Sequence, residues 1–176
     1  MHPDRATSPS PGSTRPGGPP PRFPVPVDAA LRAAGWQPGR WDIKQAEIWA
    51  DTLRDHTSPA GHRHSVFPAA VEAWAEFGGL RLTPTGPGRQ VAPAVLHLDP
   101  LHGLHSARTL GDLGRALATE VSPLGEETDT GALLAIDAEG RVYTLDHTGD
   151  WYVGPDIDHA LTALVAGTTP VRLTAG

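Results

Sequence analysis

The sequence predicts a single α+β domain, with a central antiparallel or mixed sheet and helices packed on it. Three observations point there. Ala132 to Ile136 is almost wholly apolar, and the turn Asp137-Ala138-Glu139-Gly140 joins it to a second β-type run, Arg141 to Leu145. Apolar residues recur at helical spacing in five other stretches. The elements run helices, strands, a helix, a meander and a helix, without the strand–helix alternation of a parallel sheet.

Residues 1–26 hold nine of the 19 prolines, with Ser and Gly between them. Proline removes a backbone donor and fixes φ, so this stretch is expected to be a disordered tail, leaving 27–176 as the domain. Pro19-Pro20-Pro21 could take the polyproline II form. Asp28 is the expected cap of a helix through Leu31 and Ala34, stopped by Gly35. Asp42 caps a second, in which Ile43, Ala46, Trp49, Ala50 and Leu53 share a face to about Asp55. Ser65 is the expected cap of a third, with Pro68 in its first turn and Gly78-Gly79 at its end.

Leu80 and Leu82 alternate with Arg81 and Thr83, as in a half-exposed strand. Ala92 to Leu98 is a second strand, which Pro93 places at an edge. Thr109 and Asp112 have capping-box spacing ahead of Leu110, Leu113 and Leu117. Trp151-Tyr152-Val153 reads as a third antiparallel strand after the hairpin. Asp156 caps a last helix that Gly167 stops.

The chain has no cysteine, which excludes disulfides, thiolate catalysis and Cys-based zinc sites. No apolar run is long enough to span a bilayer, and the first residues do not read as a secretory signal, so a cytoplasmic location without membrane contact is expected. The net charge is −6. Between Glu120 and Asp158 stand ten acids and one base, Arg141. Such a surface repels phosphate backbones and attracts basic partners, so direct nucleic-acid binding is disfavoured.

Trp36, Trp41, Trp49, Trp74 and Trp151 make the chain rich in tryptophan. Trp49 and Trp74 sit in apolar helical stripes and read as core, and Trp36 closes the Gly35 turn. Trp151 stands between Asp150 and Tyr152 in the acidic region, the composition of an interface hot spot. Nine histidines raise the question of a metal: His62 and His64 are near neighbours, and His97, Asp99, His102 and His105 cluster. Neither group has an established ligand spacing. Glu126 and Glu127, read as loop neighbours, lack a nucleophile or base partner, and Ser122 lacks a nucleophile-elbow setting. The residues therefore predict no catalytic group, no metal and no cofactor.

Several strings, taken together, resemble the SUKH superfamily, specifically its third immunity-protein subfamily. They are Leu31-Arg32-Ala33-Ala34-Gly35-Trp36-Gln37-Pro38-Gly39-Arg40, Glu76-Phe77-Gly78-Gly79-Leu80, Pro123-Leu124-Gly125, Ala135-Ile136-Asp137 with Gly140-Arg141-Val142-Tyr143, and Trp151 followed by Gly154. Ser122 departs from the pattern, standing where the family tends to place an aromatic. The resemblance covers about residues 27 to 168. It implies a SUKH-like α+β domain and a non-enzymatic bacterial antitoxin from a polymorphic or contact-dependent toxin system. The implied partner is a cognate toxin domain, often a nuclease or nucleobase deaminase, whose basic cleft an acidic surface would occupy. The expected contacts are Trp151, Tyr152, Asp150, Glu126, Glu127 and Asp129. Two other readings are a regulatory scaffold that binds a host protein, and a metal-dependent enzyme using His97, Asp99, His102 and His105.

Overall fold

A computed structural model of the chain describes residues 20–174. The part of the proline-rich tail before Pro20 lies outside them. Five helices, α1 (Val25–Ala33), α2 (Ile43–Asp55), α3 (Pro68–Phe77), α4 (Ala107–Leu117) and α5 (Ile157–Ala166), accompany seven strands. The strands are β1 (Arg81–Leu82), β2 (Leu96–His97), β3 (Val121–Glu127), β4 (Leu133–Asp137), β5 (Val142–Asp146), β6 (Gly149–Gly154) and β7 (Val171–Arg172). They form one sheet in chain order, antiparallel at every pairing. The α+β architecture expected from the sequence is present, and the sheet is antiparallel rather than mixed.

Helices cover both faces. α1, α2, α3 and α5 pack on Leu82, Leu96, Leu124, Leu134, Ile136 and Val142. On the other face Leu110 and Leu113 of α4 pack on Val121, Ala135, Tyr143 and Leu145. The apolar run in β4 follows from this: alternate residues serve opposite cores.

The family strings turn out to be mates. Arg40 donates to the carbonyls of Glu76 (2.6 Å) and Gly78 (3.0 Å), closing the end of α3. Trp36 donates its indole N–H to Glu76 at 3.2 Å. A β-carbon on Gly78 would come within 2.3 Å of the Trp49 ring, so glycine is required there. At Gly125 a β-carbon would meet the His97 carbonyl oxygen at 2.3 Å. The Pro123 carbonyl accepts from Trp74 Nε1 at 3.0 Å, and Ser122, fully buried, donates to the Ser65 carbonyl.

Several boundaries move. α1 begins at Val25, ahead of Asp28, because Pro24 and Pro26 fit a helix start, where missing N–H groups cost nothing. Asp28 instead pairs with Arg32 one turn on, at 2.7 Å. The packed chain starts before residue 27: Phe23 is 2% exposed against Trp36 and Phe77. Arg22 bonds both Glu76 (2.6 Å) and Asp158 (2.7 Å). Ser65 caps nothing; Phe67 precedes α3 and Pro68 opens it. α4 starts after Ser106, and Asp112 pairs with Arg115 within the helix. β2 lies between β1 and β3, with Pro93 outside its paired residues. β3, β7 and a 3-10 turn at Pro100–Gly103 were not legible in the sequence.

Candidate functional site

Register divides the six expected contact residues between the two faces. Trp151 pairs with Thr144, whereas Tyr152 pairs with Tyr143 and Asp150 with Leu145. Trp151 therefore points to the face of the four helices, and Asp150 and Tyr152 to the face of α4. The same holds for the adjacent glutamates, which lie on β3 and not on a loop. Glu126 pairs with Leu133 and Glu127 with Leu96. The extra residue between Pro123 and Gly125 is a bulge that sets this phase.

Glu127, Asp129 and Trp151 come together, joined by Asp146. They line a groove of about 460 Å³ whose other wall is Val91 to Val95. Sequence reasoning missed Asp146, although its place two residues after Thr144 on the same strand face was a usable signal. Burial pushes the Glu127 carboxyl above its usual range, against a 3.0 Å hydrogen bond from the Thr130 hydroxyl. The Thr148 hydroxyl holds Asp146 below its usual range, helped by the backbone N–H groups of Thr148 and Gly149. The Arg172 guanidinium lies 5.7 Å from the Trp151 ring centroid. The buried Trp151 indole N–H also helps to lower Asp146, although no close hydrogen bond joins the two.

The remaining three residues lie on the other face of the sheet. Glu126 faces His102 at 3.5 Å. Tyr152 packs edge-on against Tyr143, with ring centroids 6.0 Å apart. Burial, with Asp146 nearby, raises the Asp150 carboxyl.

The histidines divide as well. His97 Nδ1 lies 2.6 Å from His102 Nε2, whereas Asp99 caps the 3-10 turn through the Leu101 N–H. His105 is elsewhere, edge-on to His56 at 5.3 Å between ring centroids. Among the described residues, no group of three or more His, Cys, Asp or Glu is placed to hold a metal ion. No helix among them is long and apolar enough to cross a membrane.

Compared with known proteins, the chain matches one family model, described as SUKH-3 immunity protein, over residues 23–167. No curated protein and no solved structure matches.

Proposed function

The chain belongs to the SUKH-3 immunity protein family, and from that premise we propose that it neutralises a cognate toxin by stoichiometric, non-covalent occlusion. The toxin is an effector of a bacterial polymorphic or contact-dependent system that acts on nucleic acid, as a nuclease or nucleobase deaminase. Such an enzyme carries a basic cleft for phosphates. The immunity protein acts in the cytoplasm, without catalysis of its own.

One observation carries the reading beyond the family: the groove at Trp151 has three carboxylates, Glu127, Asp129 and Asp146, against one neighbouring guanidinium, Arg172, which lies over the Trp151 ring. Opposed potentials accelerate encounter and reject wrong partners, while a buried aromatic supplies affinity. Of the six residues expected from the sequence, Trp151, Glu127 and Asp129 are the contacts this groove supports.

Co-expression with the toxin encoded by the neighbouring gene tests the proposal. Cells survive, and the two proteins co-purify one to one. Death of cells that contain the folded protein overturns it.

A further inference from the structure

Trp41 is 55% exposed, unusual for the largest side chain. It lies at the opposite end of the sheet from Trp151. Trp41 borders a groove of about 350 Å³ with an apolar floor that includes Ala73, Phe77, Ile136 and Ile157. The rim carries Glu72, Glu76, Glu139 and Asp156 and no base. Glu139 lies in the turn before β5 and Asp146 ends that strand, so the two grooves are separated by about its length, roughly 17 Å.

The rim acids are not equally free. Glu76 is held by Arg22, and Glu139 lies 3.3 Å from Arg141, which also bonds Asp137. Asp156 caps α5 and contacts His159. Glu72 is exposed and makes no ion pair among the described residues. Counting neighbours of the rim, Glu72, Glu76, Asp137, Glu139, Asp156 and Asp158 face three guanidiniums, Arg22, Arg40 and Arg141. The groove therefore keeps a negative surplus beside an open indole face.

We infer that the Trp41 groove is a second contact for the toxin, and that it takes an arginine side chain from a basic segment of that partner. A guanidinium is weakly hydrated, stacks on an indole face and pairs with a carboxylate in one plane. Trp41 supplies the face and Glu72 the carboxylate. The apolar floor accepts the methylene stem of the same side chain. The inference rests on the immunity reading above.

The test is calorimetric titration of the purified domain encoded by the adjacent toxin gene. The proteins are the full chain and its variants Trp41→Ala, Trp41→Phe, Glu72→Lys and Val25→Ala. Trp41 is exposed, so Trp41→Ala should melt as the parent does, and Trp41→Phe retains a ring as a check on packing. Trp41→Ala and Glu72→Lys should each weaken Kd roughly tenfold or more. Val25→Ala, which removes another exposed apolar side chain, should leave Kd unchanged. Parent-like affinity in Trp41→Ala overturns this contact and leaves the immunity reading intact. Loss in Trp41→Ala without loss in Glu72→Lys overturns the arginine occupant. Absence of binding by the parent chain overturns the immunity reading and this inference with it.

Discussion

The Tyr143 hydroxyl donates to Oδ2 of Asp137 at 2.9 Å, across the hairpin that joins β4 to β5. Asp137 is fully buried and also accepts from the Arg141 guanidinium at 2.6 Å. The backbone N–H groups of Glu139 and Arg141 complete the set, each at 2.9 Å. Four donors replace the water that this carboxylate loses on folding. The Asp137, Gly140, Arg141 and Tyr143 pattern is thus a folding device: one buried acid organises the turn.

Replacing Asp137 with Ala leaves the Tyr143 hydroxyl buried and unpaired and frees two turn N–H groups. The variant should lose about 3 kcal/mol in urea denaturation. A loss below about 1 kcal/mol would show that the turn forms without the carboxylate.

Burial raises the Tyr143 phenol, and the Asp137 hydrogen bond raises it further. The unfolded tyrosine ionises near 10.0, the folded one only at higher pH. The folded state therefore binds the proton more tightly, and this contribution is complete below pH 10 and declines above it. The melting temperature should fall as pH rises from 9.5 to 11.5. Tyr143→Phe should flatten that slope; an unchanged slope would refute the assignment.

Phe23 is enclosed by Trp36 and Phe77. Phe23→Ala should cost about 3 kcal/mol or more in a denaturant titration. Arg22→Ala should cost only about 1 kcal/mol, because its side chain is 43% exposed and its two ion pairs are screened. Equal losses would mean that the arginine, and not the ring, fastens the segment ahead of α1.

Burial depresses the pKa of both His64 and His97. His56 and His105 add to the effect at His64, and Arg81 and His102 at His97. Each contribution is present above the unfolded value of 6.5 and is lost as pH falls through the folded value. Melting temperatures between pH 7.5 and 5 should decline less in His64→Gln and His97→Gln than in the parent. Parallel curves would count against both.

Charge and anchor at the Trp151 groove should separate kinetically. Glu127→Gln with Asp129→Asn should slow association with the toxin and reduce its salt dependence. Trp151→Ala should act mainly on dissociation, weakening affinity by about 2 kcal/mol. Stopped-flow association at two salt concentrations distinguishes them, and an unaltered salt slope in the charge variant would rule out steering by these acids.

The sequence by itself determined the α+β class, the caps at Asp42 and Asp156, the stop at Gly167 and the β4–β5 hairpin. These depend on local chemistry: a carboxylate bonding an N–H three residues on, a glycine with positive φ, apolar residues at a fixed period. β3 escaped notice because Val-Ser-Pro-Leu-Gly-Glu-Glu has neither period, its side chains being selected by partners far along the chain. Gly125 yields to His97, Pro123 serves Trp74, and Ser122 serves Ser65. The candidate site depended on tertiary structure for the same reason. Composition could place Trp151 among acids, but only the bulge in β3 and the pairing of β5 with β6 decided the face each side chain occupies. A shift of one residue in a strand reverses every side chain on it, and that phase is set by neighbouring strands.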